Sequence, residues 1–137
     1  MNSKILTNNS ELRVLYTNIQ SLSRNFNELL LYLNSTDPAY DIIALSETWI
    51  SENQLKLFTI KGYRSFMQPR MDGRRSGGVV MYVREHINVK NVARENLITG
   101  NVLRLQLTAY DSIKGKEIVI SLILVYRDCT SSKKEIC

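Results

Sequence analysis

The chain has 137 residues, 44% of them hydrophobic and 23% charged, with a formal net charge of +5. That length and balance allow one globular domain with a real core and exclude a disordered or fibrous chain. Met1 to Ser10 lacks the apolar core of a signal peptide, and the longest apolar run, Ile118 to Tyr126, is interrupted by Ser121 and too short to span a bilayer, so no membrane partner is expected.

Residues 1–11 read as a disordered lead-in, 12–127 as the domain and 128–137 as a polar tail. Leu12 to Asn18 has the composition of a short strand, closed by Asn18. Ser21 is a candidate N-cap for a helix whose apolar face is Leu22, Phe26, Leu29, Leu30 and Leu33. Asn34-Ser35-Thr36-Asp37-Pro38 stops that helix, because proline cannot continue it and disfavours α geometry in the residue before it. Tyr40, Ile42, Ile43, Ala44 and Leu45 then form a run too short and too β-rich for a helix, which predicts a buried strand ending in Ser46-Glu47-Thr48-Trp49. Strand, helix, strand with a right-handed crossover predicts two parallel strands, adjacent or nearly so. Asn18 and Glu47 then share one edge of the sheet. A carboxylate at such a rim is rigidly held yet open to a ligand, the placement in which hard divalent cations are gripped. The competing reading is that Glu47 merely starts the next turn.

Glu52 to Phe58 reads as a short helix and Tyr63 to Met67 as a strand. Arg64, Arg70, Arg74 and Arg75 cluster before Gly77-Gly78, in a loop that also holds Pro69, Asp72 and Gly73. Arginine forks bind phosphate oxygens, so Arg70, Arg74 and Arg75 are candidates for nucleic-acid binding; an ordinary solvated basic loop is the equal alternative. Gly77-Gly78 is a phosphate cradle or a tight entry into the next strand, and Trp49 a base-stacking platform or a wedge beneath the strand end. Gly78 to Arg84 is a clear strand, and His86, the only histidine, falls in the turn after it. Ile87, Val89 and Asn91 alternate with Asn88, Lys90 and Val92, and Leu103, Leu105 and Leu107 with Arg104, Gln106 and Thr108. Lys114-Gly115-Lys116 is a turn into the strand Glu117 to Tyr126. Cys129 and Cys137 stand in the polar tail without partners for a zinc site, which fits a reducing, nuclear or cytoplasmic location.

Tyr16-Thr17-Asn18-Ile19-Gln20-Ser21-Leu22, Asp41-Ile42-Ile43-Ala44-Leu45-Ser46-Glu47-Thr48-Trp49, Gly62-Tyr63, Arg75-Ser76-Gly77-Gly78-Val79-Val80-Met81-Tyr82-Val83 and Val125-Tyr126-Arg127 occur in that order. Together they resemble the apurinic-type endonuclease domain of non-LTR retrotransposons, in the endonuclease/exonuclease/phosphatase superfamily, from about Leu12 to Arg127. The resemblance implies an α/β fold, a four-layered sandwich with two face-to-face sheets and helices outside. It also implies phosphodiester hydrolysis on DNA with a divalent metal, Mg²⁺ or alternatively Mn²⁺. Glu47 matches the metal-binding glutamate, Asn18 the asparagine of the metal and phosphate site, and Tyr126 a tyrosine that contacts the scissile phosphate.

The chain departs from the pattern after Tyr126. The family's Gly-Asp-Phe-Asn-like and Ser-Asp-His-like segments, which place and activate the nucleophile, have no counterpart in Arg127 to Cys137. Asp128 and Cys129 replace the usual prolines, and Gln20 takes a position that is acidic in many repair members. His86 reads as a solvated turn residue, since nothing places it beside Asn18 and Glu47. The expectation is therefore an N-terminal half-domain, inactive alone. Without the second half, Val119, Leu122 and Leu124 are expected to contribute to an exposed apolar patch, with a complementing half-domain or self-association as its outlet.

Overall fold

In the computed structural model, which describes residues 5–6, 11–70 and 76–127, two sheets pack face to face with helices on one outer side. The first sheet holds β2 (Val14–Asn18), β3 (Ile42–Ser46), β4 (Tyr63–Gln68) and β5 (Val79–Arg84), in the order β2-β3-β5-β4. In the second, β7 (Gly100–Asp111) is flanked by β6 (Asn88–Leu97) and β8 (Lys116–Arg127). Within the stretch read as a lead-in, β1 (Ile5–Leu6) runs parallel to Tyr110–Asp111. Helices α1 (Leu22–Asn34) and α2 (Glu52–Leu55) complete the described elements.

The predicted strand–helix–strand unit is present. β2 and β3 are parallel and adjacent, with Asn18 opposite Ser46. The Ser21 hydroxyl caps α1 by accepting from the Arg24 N–H at 3.2 Å. Leu22 and Leu29 are buried on the helix face, and Phe26, Leu30 and Leu33 pack beside them.

Alternation along β3 and β5 divides the interior in two, because successive side chains leave a strand on opposite faces. Ile43, Leu45, Val80 and Tyr82 join the helices in one core. Ile42, Ala44, Val79, Met81 and Val83 face the second sheet and meet Leu103, Leu105, Leu107 and Leu124 in the other. Three layers result: helices, sheet and sheet. The chain thus builds both sheets itself, and this corrects the expected patch. Leu124 is buried and Leu122 packs into the intersheet core; of the residues expected to be exposed there, only Val119 lies open, beside Ile123 and Val125.

β6 departs from simple alternation. A bulge between Val89 and Asn91 shifts the register, so that Val89 and Val92 both reach the intersheet core. One extra residue turns the strand over, which a strict period of two does not anticipate.

Tyr82 shows how completely the helix-side core excludes water. Burial pushes its phenol above the usual tyrosine range, and its hydroxyl donates to the Phe58 carbonyl at 2.6 Å. The unfolded chain releases this proton near pH 10 while the folded chain retains it, so Tyr82 supports folding below about pH 10 and penalises it above. Urea denaturation at about pH 8 and about pH 11 is expected to show stability falling with pH, and Tyr82→Phe is expected to flatten part of that fall.

Candidate active site

The rim beyond the C-terminal ends of β2 and β3 is built from irregular backbone. Gln20, Ser21, Glu47 and Trp49 all have positive φ, at 46°, 90°, 55° and 57°. Each such conformation costs a residue with a side chain on the order of 1–3 kcal/mol and persists only where its surroundings enforce it. Here the two chain segments hold each other. Ser21 N–H donates to the Glu47 carbonyl and Leu22 N–H to the Thr48 carbonyl, both at 2.9 Å. The Asn25 amide donates to the carbonyls of Ile19 and Gln20 at 2.8 and 3.1 Å.

That backbone aims Glu47 into a half-open position. Its Oε1 accepts from the Gly77 N–H at 2.6 Å and from the Trp49 indole N–H at 3.1 Å. Oε2 has no partner among the described residues. One oxygen is therefore anchored by neutral donors and the other is available. Trp49, half-buried at the strand end, accordingly also orients the carboxylate.

Gly77 and Gly78 complete the rim from the other side. Their carbonyls accept from the Trp49 and Thr48 N–H groups at 3.1 and 3.2 Å, which carries the β3–β5 pairing past the strand ends. Both have positive φ, at 95° and 88°. The pair is thus a tight entry into β5 whose first amide serves Glu47, and no phosphate cradle is needed to explain it.

Tyr126 reaches the same place from the second sheet. A Cβ on Gly77 would lie 3.7 Å from Tyr126 Cε2, so the ring stands beside the glycine that holds Glu47. Asn18 is exposed on β2 opposite Ser46, one residue before Glu47. Asn18, Glu47 and Tyr126 are thereby placed on one rim, Glu47 and Tyr126 through a shared neighbour. Arg70 is there too, its guanidinium donating to the Trp49 carbonyl at 3.1 Å. Arg74 and Arg75 lie outside the described residues.

Arg64 and His86 belong elsewhere. Arg64 donates to the Ile87 carbonyl at 2.8 Å. His86 follows the end of β5 that pairs with Ile42, whereas the Val79 end pairs with Ser46. Six residues of strand separate it from the rim, about 20 Å at some 3.3 Å per residue, far beyond the reach of a base. It lines a separate cleft with Glu11, Arg13, Asp37, Asp41 and Arg84.

Asn101 is the rim residue that reading the sequence missed. Its side chain is buried and accepts from the Gly78 N–H at 2.9 Å. A signal was available: Asn101 is in phase with Leu103, Leu105 and Leu107, so a polar side chain falls on the inward face, where it must find partners.

The residues suit a hard cation coordinated mostly by substrate and water. Glu47 offers one free carboxylate oxygen and Asn18 an exposed amide, and no group of three or more His, Cys, Asp or Glu stands ready to hold a metal among the described residues. Mg²⁺ is commonly bound in this sparse way, through one or two carboxylates with waters and phosphate oxygens.

The family model for the endonuclease/exonuclease/phosphatase family matches residues 15–119, and the chain belongs to that family. Among solved structures it is similar to the catalytic domain of APE2 from Xenopus laevis, with a TM-score of 0.63 and 19% identity. That match covers 83% of this chain and 44% of the other, so the chain spans less than half the length of that structure. At such low identity the likeness concerns the fold alone. No curated protein matches the chain by sequence.

Proposed function

We propose that this chain is the metal- and phosphate-binding portion of a Mg²⁺-dependent DNA endonuclease of the non-LTR retrotransposon type, acting in the nucleus or cytoplasm and incomplete as a catalyst on its own. The observation that carries this reading is Glu47, with Oε1 fixed by Gly77 and Trp49 and Oε2 without a partner among the described residues. Glu47 and Asn18 would hold Mg²⁺ or Mn²⁺, and such an ion, when bound, polarises a phosphoryl oxygen. Tyr126 would place its hydroxyl against the scissile phosphate, and Arg70, Arg74 and Arg75 would add salt-dependent attraction to the DNA backbone. No side chain on the described rim is suited to take a proton from water, which is the basis for expecting no turnover.

The second reading is a non-catalytic half-domain that binds nucleic acid or a protein partner. It is favoured by the inner face of β2, where Val14 and Tyr16 are 44% and 56% exposed. They share the face of Ala44 and Ile42 but are not covered by the second sheet. Among the described residues the 12-residue β8 pairs with β7 alone, which leaves its other edge as a second open place. A complementing half-domain or a second copy would fill it.

Nicking of supercoiled plasmid by the purified, folded chain tests both readings. None is expected with Mg²⁺ or with EDTA. Nicking that requires Mg²⁺ and disappears in Glu47→Ala would overturn the inactivity claim. Retention of DNA in EDTA, weakened by Arg70→Ala and by salt, would favour the binding module.

A further inference from the structure

Asn101 stands on the second sheet, yet its side chain bonds both Pro69 and Gly78 on the first-sheet side. Its Oδ1 accepts from the Gly78 N–H at 2.9 Å, and its Nδ2 donates to the Pro69 carbonyl at 3.1 Å and to Asn96 Oδ1 at 2.9 Å. Pro69 and Gly78 bracket the loop that contains Arg70, Arg74 and Arg75. Backbone groups fix which end of the amide is which, because only oxygen can accept from Gly78 and only nitrogen can donate to Pro69. Asn101 is 2% exposed, and its bond to Gly78 is buried while those to Pro69 and Asn96 are partly so.

The contacts continue to the carboxylate. A Cβ on Gly77 would lie 3.2 Å from Asn101 Oδ1, so the amide abuts the residue whose N–H holds Glu47 Oε1. Asn101 is also the direct cross-strand partner of Tyr126. We propose that Asn101 is a positioning residue. By holding the Gly77–Gly78 turn from the second sheet, it sets the orientation of the Glu47 carboxylate and ties Pro69 to Gly78. This inference rests on the metal-binding reading for its consequence but not for its test.

Trp49 supplies the test. It is the only tryptophan in the chain and its indole donates to Glu47 Oε1, so its emission reports the carboxylate's orientation. Asn101→Ala is expected to shift Trp49 emission in the folded protein, and the same substitution in a Glu47→Gln background to add little further shift. Asn101→Asp retains an oxygen for Gly78 and, kept protonated by burial, a donor for Pro69; its shift is expected to be smaller. If Asn101→Ala does not fold, Asn101→Leu, which keeps the volume and removes both bonds, serves in its place against the same background. Asn96→Ala, which removes one partner of Asn101 without touching Gly78, is expected to lower the urea midpoint and leave the emission unchanged. Mn²⁺ titration followed by electron paramagnetic resonance is expected to show affinity about tenfold weaker in Asn101→Ala, the usual scale for losing a group that orients a ligand.

Unchanged emission in folded Asn101→Ala or Asn101→Leu, or a shift that persists fully in the Glu47→Gln background, would overturn the proposal. Failure of the unsubstituted chain to bind Mn²⁺ would count against the metal-binding reading, while the emission cycle would still decide the role of Asn101.

Discussion

Alanine at position 78 is expected to destabilise the fold by about 2–5 kcal/mol, against about 1–2 kcal/mol for alanine at position 62. Both glycines have φ of +88°, so both substitutions pay the same left-handed backbone penalty. They differ in space. A Cβ on Gly62 meets nothing within 4 Å, whereas one on Gly78 would lie 2.8 Å from Thr48 Oγ1 and 3.1 Å from the Arg70 backbone nitrogen. Thr48 cannot easily yield, because it is fully buried and its neighbour Glu47 is tied to Gly77. The difference between the two urea midpoints isolates the steric cost of closing the rim. Equal losses at 62 and 78 would mean that Thr48 and the Arg70 backbone give way, and that the rim is looser than its contacts suggest.

Leu105→Ala is expected to cost about 2–5 kcal/mol, a large share of the 5–15 kcal/mol by which a typical domain is stable. Leu105 is fully buried, flanked by Val92 and Leu122 on neighbouring strands and set in the core shared with Ile42, Met81 and Val83 of the first sheet. Removing its side chain loses transfer energy and leaves a cavity between two sheets that cannot both collapse into it. Arg104→Ala, one residue away on the solvent face, is expected to stay within about 0.5 kcal/mol. The pair tests whether the second sheet docks in the chain as it stands. A near-neutral Leu105→Ala would mean that the two sheets do not share a core in solution.

Most of the architecture was legible because its elements obey simple periods. Leu22, Phe26, Leu29, Leu30 and Leu33 mark one face of α1, and Leu103, Leu105 and Leu107 mark one face of β7. Pro38 and the polar run before it mark where the helix ends. Asn18 and Glu47 could be paired at one rim because a polar residue closing each of two parallel strands leaves few alternatives. The presence of both sheets was not legible. It depends on strands more than 50 positions apart in sequence packing face to face, as Ile42 and Leu103 do, and no local pattern encodes that pairing. The part of Trp49 and Asn101 was hidden for a related reason. A hydrogen bond from an indole to a carboxylate two residues earlier requires two positive φ angles that no residue type at positions 47 and 49 announces. Asn101 meets Gly78 across 23 positions of sequence.

The two-sided burial of β3 and β5 has a consequence for how the molecule comes apart. Every residue of β3, and all of β5 except Arg84, is buried, so each of these strands belongs to the helix-side core and the intersheet core at once. Neither α1 nor the β6-β7-β8 sheet can then detach without exposing apolar surface on the same central strands. The two cores are thermodynamically one cooperative unit, and amides at the centre of β5 should exchange with solvent only through global opening.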